Sequence, residues 1–258
     1  MQKTSTYSDS LSILIANNLN LRIDNCIFEK STIVLFDNST IYATNSTFTR
    51  SGFGSSSAKV IYIDNCKLLE GSDAGSGEIM VVKDSVLCGG VGGRESKEIY
   101  LAGLSWPENN TRKTVLYGSA NTKFFLDGAN AKNALINILG GTVLLRNVGV
   151  RKLLVSSDAS IDKLDLQNVT IYEGDFEDAL VKGGQWENVT IYGPVKMPKG
   201  KLENIKVRAF QLPNGPPIAG ATSETIVDIK ESSAPFEWPE IHVPTLDELG
   251  LKDPLRAE

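Results

Sequence analysis

The phrase Asn-Val-Thr-Ile-Tyr occurs twice, at Asn168–Tyr172 and Asn188–Tyr192, with its asparagines 20 positions apart. It belongs to a longer pattern: apolar, any, apolar, any, Asn, small or aliphatic, any, apolar. The pattern recurs as LRIDNCIF at Asn25, IYATNSTF at Asn45, IYIDNCKL at Asn65, MVVKDSVL at Asp84 and IYLAGLSW at Gly103. KFFLDGAN at Asp127, VLLRNVGV at Asn147, LDLQNVTI at Asn168, QWENVTI at Asn188 and KLENIKV at Asn204 complete the series. Spacings are 19 to 21, except 24 before Asp127 and 16 before Asn204. A unit of this length cannot bury a core alone and must stack on its neighbours.

The columns of the repeat say how each unit is shaped. Two residues before the Asn stand Ile23, Ile63, Leu145, Leu166 and Trp186; three after it stand Phe28, Phe48, Leu68, Val150 and Ile171. Apolar residues alternate with period two before the Asn, as in a half-buried strand. At the Asn the phase slips, because positions −2, +1 and +3 all read as inward. A sharp bend does this, and Asn, Asp and Gly are the residues that tolerate the left-handed backbone it needs. Each unit therefore reads as strand, bend, strand, completed by further turns into a coil of about 20 residues. Stacked coils pair in parallel, about 4.8 Å apart, and stacked asparagines can hydrogen-bond as a ladder.

These repeats, over Leu11–Phe210, resemble the right-handed parallel β-helix superfamily, the architecture of pectate lyases, polygalacturonases, phage tailspikes and many adhesins. The resemblance implies an all-β, single-stranded right-handed solenoid of about ten coils. A pentapeptide-repeat solenoid shares the coil length but wants an inward residue every five positions, which LDLQ and IYID do not supply. The chain is read as a β-helix over residues 1–211 and a Pro-rich tail over 212–258. Proline breaks strand pairing, so the tail should cap the solenoid or lie along it with Phe236, Trp238, Ile241, Val243, Leu246, Leu249 and Leu251. PTLDELGL reads as a short helix starting near Thr245 and stopping at Gly250. Gly71–Gly77, Gly89–Glu95 and Pro107–Lys113 read as loops projecting from the rod.

Composition narrows the function classes. A net charge of −5 with scattered Lys and Arg gives no basic footprint for nucleic acid. No apolar run reaches the roughly 20 residues of a membrane span, and the first residues lack a signal-peptide core. Three cysteines make no even framework. Cys26 and Cys66 share an inward column two coils apart, beyond disulfide reach, and Cys88 is also expected free. Free thiols fit a reducing compartment, and the same chain would also serve as a fragment of a secreted or effector protein. One histidine, His242, cannot build a metal cluster with them. Of five Asn-x-Ser/Thr triplets, Asn45, Asn168 and Asn188 are already explained as bends, and Asn109 is the best glycosylation candidate.

Two constellations could carry function. Three before the Asn stand Arg22, Tyr42, Tyr62, Val81, Tyr100, Phe124 and Leu144, an outward column in which Tyr42, Tyr62, Tyr100 and Phe124 form an aromatic stripe. Such a stripe suits sugar rings, a protein partner or a second copy of the chain, or else a cover supplied by the tail. The other is acidic: Glu173, Asp175, Glu177 and Asp178 in YEGDFEDA. Polysaccharide cleavage needs two carboxylates about 5 to 9.5 Å apart, and such oxygens also suit calcium; a solvated loop is the simpler account. The paired aspartates and Gly-His-Gly turn of polygalacturonases have no counterpart, and Arg146 and Arg151 lack the stacked aspartates of pectate lyases. The expected function is a non-catalytic scaffold presenting a surface to a protein or glycan, with no cofactor. The alternative is a polysaccharide lyase or glycoside hydrolase.

Overall fold

The computed structural model describes residues 5–7, 12–15, 17–55, 58–93, 95–107, 114–176, 178–193, 195–213, 218–219 and 224–251. They form a parallel β-solenoid of about nine turns, with coils about 20 residues apart. In the first half, each coil crosses three walls. One wall stacks Ser5–Tyr7, Cys26–Glu29, Thr47–Thr49, Lys67–Leu69 and Val86–Leu87; a second stacks Ser12–Ile15, Thr32–Leu35 and Gly52–Ser55. The third is the longest, running from Asn20–Asp24 through Thr40–Thr44, Ala58–Asp64, Gly77–Lys83 and Glu98–Ala102 into the second half. Between Lys123 and Asp175 the extended backbone is unbroken for 53 residues and simply bends at each corner.

The corners are where sequence dictates shape. Asn25, Asn45, Asn65, Asp84, Asn147, Asn168 and Asn188 all have φ between 48° and 54°, and Gly103 and Gly128 have 60° and 66°. Two side-chain ladders run up this corner. Asn65 donates to Asn45 at 2.8 Å and Asn45 to Asp24 at 3.1 Å; farther on, Asn188 donates to Asn168, Asn168 to Asn147 and Asn147 to Asp127, at 3.0, 2.9 and 3.1 Å. Each ladder thus ends on a carboxylate. A second corner, at Lys30, Arg50 and Glu70, is also left-handed, with φ of 48°, 50° and 53°.

Inside, position −2 is core as expected: Ile23 is 4% exposed, and Ile63, Leu145 and Leu166 are fully buried. Phe28 and Phe48 stack 5.1 Å apart with planes 4° apart, as identical positions one coil apart should. The inward +1 column alternates Cys26, Ser46, Cys66 and Ser85, in which each Ser hydroxyl accepts the backbone N–H of the Cys one coil before it, at 3.0 Å. Burial pushes the Cys66 thiol up to about 12, and all three cysteines are free.

Four expectations change. The copy at Asp127 is one residue out of register: Leu101 pairs with Leu126 and Ala102 with Asp127, so the bend is Gly128. Phe124 therefore points inward with no exposure, and Phe125 takes the outward place against Tyr100. The copy at Asn204 is five residues early: Trp186 pairs with Val207 and Val189 with Phe210, so the corner above Asn188 is Ala209, at φ 52°. The glycine-rich stretches at 71–77 and 89–93 do not project from the rod. Ala74 and Val91 are core, and Phe53, Ala74 and Val91 donate backbone bonds to Asp73, Gly90 and Val115, extending the wall. A Cβ on Gly89 would lie 2.1 Å from the Ser72 carbonyl oxygen, so close stacking explains the glycine. Of Pro107–Lys113 only Pro107 lies within the described residues, and Asn109 lies outside them.

The tail also departs from a bare strap. Ile218–Ala219 pairs with Val195–Lys196, and Ile226–Glu231 pairs in parallel with Lys201–Gln211, so strand stacking continues past residue 211. Beyond Ser232 regular strand ends and the chain turns back along the rod. Trp238 Nε1 donates to Glu187 Oε2 at 2.9 Å, while Gly250 and Leu251 line a cavity with Arg22 and Tyr42 near the first coils. No helix forms at Thr245; the segment is one turn closed at both ends. Thr245 Oγ1 accepts from Glu248 N at 3.3 Å and Glu248 Oε2 accepts from Thr245 N at 2.8 Å, a capping box. At the other end Leu251 N donates to the Leu246 carbonyl and Gly250 N to that of Asp247, with Gly250 at φ 72°, a Schellman motif.

Candidate functional site

The tyrosine stripe is covered by the chain itself. Val60, Tyr62 and Val81 form a second apolar cluster outside the solenoid, with Tyr42, Ile79 and Tyr100 packed beside them and Val243, Leu246, Leu249 and Leu251 of the tail over them. Tyr62 is 4% exposed and Val81 fully buried. Tyr42 meets Tyr62 edge-on at 5.5 Å, and Tyr100 stacks on Phe125 at 5.2 Å. Burial pushes both the Tyr62 and Tyr100 phenols up, and Tyr100 adds a hydrogen bond donated to Glu98 Oε2 at 2.8 Å. These rings hold the tail down and are not an open platform while it is seated.

Beside the stripe, at position −1, charges pair from coil to coil. Lys83 meets Asp64 at 2.9 Å, Arg146 meets Asp127 at 2.5 Å and Arg208 meets Glu187 at 3.2 Å. Burial alone would raise the Asp127 carboxyl; the Arg146 and Asn147 hydrogen bonds outweigh it and hold the group below its ordinary value.

Among the described residues of the acidic segment, Glu173, Asp175 and Asp178, two of the carboxylates are taken up by basic partners. Asp175 is 5% exposed and its Oδ2 takes a bond from Lys152 Nζ at 2.8 Å. Its Oδ1 is buried without a partner. Glu173 is exposed and faces Arg151 at 4.0 Å, Asp178 is exposed, and Glu177 lies outside the described residues. Among the described residues no three His, Cys, Asp or Glu side chains gather as a metal site.

A different aromatic pair is open. Tyr172 and Tyr192 are 37% and 42% exposed and stack 5.6 Å apart with planes 14° apart. They end the two copies of Asn-Val-Thr-Ile-Tyr, whose strands lie in register, Val169 on Val189 and Ile171 on Ile191. Positions +1 and +3 point inward, so +2 and +4 point outward. The outer face thus carries three columns: Asn147, Asn168 and Asn188; Gly149, Thr170 and Thr190; Arg151, Tyr172 and Tyr192. Gly128 and Gly149 open a concavity of about 370 Å³ between Asn147, Asn168 and Thr170. Each ladder asparagine is exposed and spends one amide N–H on its neighbour, leaving the other for a ligand.

The signal for this face was already in the repeat, since a tyrosine four residues past each bend must alternate outward. The column at −3 is the more conspicuous of the two, because it holds aromatic residues in more coils than the column at +4. No protein-family model, curated protein or solved structure matches this chain. No helix among the described residues is long and apolar enough to cross a membrane.

Proposed function

We propose that this chain is a non-catalytic β-solenoid scaffold that presents the Asn–Thr–Tyr face of its middle and later coils to a glycan. The observation that carries the reading is the exposed, stacked Tyr172–Tyr192 pair, in register with hydroxyl and amide columns. Aromatic rings offer apolar area to the C–H faces of sugars, and amides and hydroxyls offer donors and acceptors to sugar hydroxyls. Arg151, 4.0 Å from Glu173 and 42% exposed, adds a cation beside the rings that would favour an acidic sugar. The face is held in place because Thr170 and Thr190 sit on paired strands, the asparagines on a hydrogen-bonded ladder, and Tyr192 N donates to the Ile171 carbonyl at 2.9 Å, which lowers the ordering cost of binding.

The catalytic alternative has less support, because Asp175 is engaged by Lys152 and Glu173 faces Arg151. The test is calorimetric titration of the full chain with neutral and acidic oligosaccharides. Heat of binding is expected with the wild type and at least tenfold weaker binding with Tyr172→Ala/Tyr192→Ala, with an unchanged melting profile. Failure of every oligosaccharide to bind, or equal binding by the double variant, would overturn the reading. Appearance of unsaturated or shortened products would establish the enzymatic one.

A further inference from the structure

The tail and the stripe beneath it form a contact separable from the solenoid. Its apolar cluster, centred on Val60, Tyr62 and Val81, is distinct from the main core. The segment that fills it carries its own closure: the capping box of Thr245 and Glu248, the Schellman turn at Gly250, and the His242 ring Nε2 at 2.8 Å from the Glu248 carboxylate that accepts from it. The hydrogen bonds that close that turn all lie within residues 242–251. The stretch leading to it is loosely held, since seven of the eleven residues 232–242 are exposed and none is buried. In this stretch the side-chain hydrogen bond to the rod is the one from Trp238 to Glu187.

We infer that the aromatic stripe is a docking groove for the Val243–Leu251 segment of a second copy of this chain, so that two molecules exchange tails. The occupant is fixed by what the groove already holds: Leu246, Leu249 and Leu251 are its complement, and an identical segment makes identical contacts. A lead that is mostly exposed and carries one side-chain hydrogen bond to the rod can be released at little cost, and reciprocal exchange closes a two-fold dimer. Within one chain the tail competes at an effective concentration of order millimolar. The wild type is therefore monomeric at micromolar concentration and exchanges only when crowded.

Two full-length variants separate donor from acceptor. Leu246→Asp/Leu249→Asp disables the tail and leaves the groove; Tyr62→Asp disables the groove and leaves the tail. Each is expected to be monomeric by light scattering, and an equimolar mixture, in which no intact tail competes within its own chain for an intact groove, is expected to form a one-to-one dimer as it is concentrated toward millimolar. A mixture that stays monomeric overturns the inference. A second measurement uses the wild type alone, titrated with a fluorescent peptide of residues 236–251. Its anisotropy is expected to rise as the protein approaches millimolar, and the same peptide carrying Leu246→Asp to stay flat. No rise with the unmodified peptide, or an equal rise with both, overturns the inference even if the variants fail to fold.

Discussion

Replacing Asn168 tests what fixes the corner of each coil. Its φ is 54°, and its side chain makes two ladder bonds, to Asn147 at 2.9 Å and from Asn188 at 3.0 Å. Asn168→Ala loses both bonds and forces a Cβ without polar compensation into the left-handed region. Exposed hydrogen bonds contribute about 0.5 kcal/mol each, and the left-handed conformation costs about 1 kcal/mol or more for an ordinary residue, giving a loss of about 2 kcal/mol. Asn168→Gly loses the same bonds but relieves the backbone, so its loss is about 1 kcal/mol. In a domain of this size each kcal/mol moves the melting temperature by about 2–4 °C. Thermal unfolding followed by far-ultraviolet circular dichroism should therefore place Ala about 3 °C below Gly, which itself melts below the wild type. Ala209, at φ 52°, is the reverse experiment, and Ala209→Gly should stabilise by about 1 kcal/mol. If Ala and Gly at 168 melt together, or Ala209→Gly is destabilising, backbone handedness is not what the corner selects.

Three further outcomes follow from the packing. Gly184→Ala would put a Cβ 2.0 Å from the Leu164 carbonyl oxygen, and should cost about 3 kcal/mol in the same melt because the clash is with backbone. Tyr62→Ala, at a side chain 4% exposed, should cost about 3 kcal/mol; a neutral result would mean that the tail is not seated in solution. The Glu248 carboxyl is lowered from 4.5 to about 2, first by the Thr245 backbone N–H, then by His242 and the Thr245 hydroxyl. A depressed carboxylate stabilises fully above its free value and loses that contribution as pH falls through its folded value. The turn should thus be intact above pH 4.5 and open toward pH 2, and the Thr245 amide resonance should titrate near the lower value; a midpoint near 4.5 would contradict the capping box.

The fold was legible because the repeat repeats its chemistry as well as its length. Ile63, Leu145 and Leu166 could be assigned to the core from alternation alone, and Asn25 or Asn168 to a corner from backbone tolerance alone. The reading slipped at two corners, Gly128 and Ala209, although Asp84 and Gly103 were placed from the repeat alone. At Gly128 the neighbouring Asp127 mimics the motif, and this moved Phe124 to the wrong face. At Ala209 nothing in the residue type marks a bend, whereas Asn204, the fourth residue of the strand Lys201–Gln211, is itself left-handed at φ 54° and drew the repeat to itself, five residues before the corner above Asn188. The spacing of 16 was the visible trace of the second slip, since Asn188 to Ala209 is 21, whereas Gly103 to Gly128 is 25 and that coil is longer than its neighbours. Glycines at 89 and 92 were read as loop because flexibility and close backbone approach have the same composition; only neighbours distant in sequence distinguish them. The second corner at Lys30, Arg50 and Glu70 was invisible, since long charged residues carry no left-handed signature, although Arg50 and Glu70 meet at 2.6 Å in adjacent coils. The open Tyr172–Tyr192 face was derivable from parity, and the covering of Tyr62 was not, because it depends on where a distant tail comes to rest.

That tail starts over Glu187 and finishes beside Arg22 and Tyr42, so it spans most of the rod in the opposite sense to its growth. It behaves as a ruler. A chain with one coil too many or too few would find the far anchor displaced by about 4.8 Å, and could seat one end or the other but not both. Because this segment follows every coil in the chain, its docking at both ends reports that the coils between its two anchors are in place.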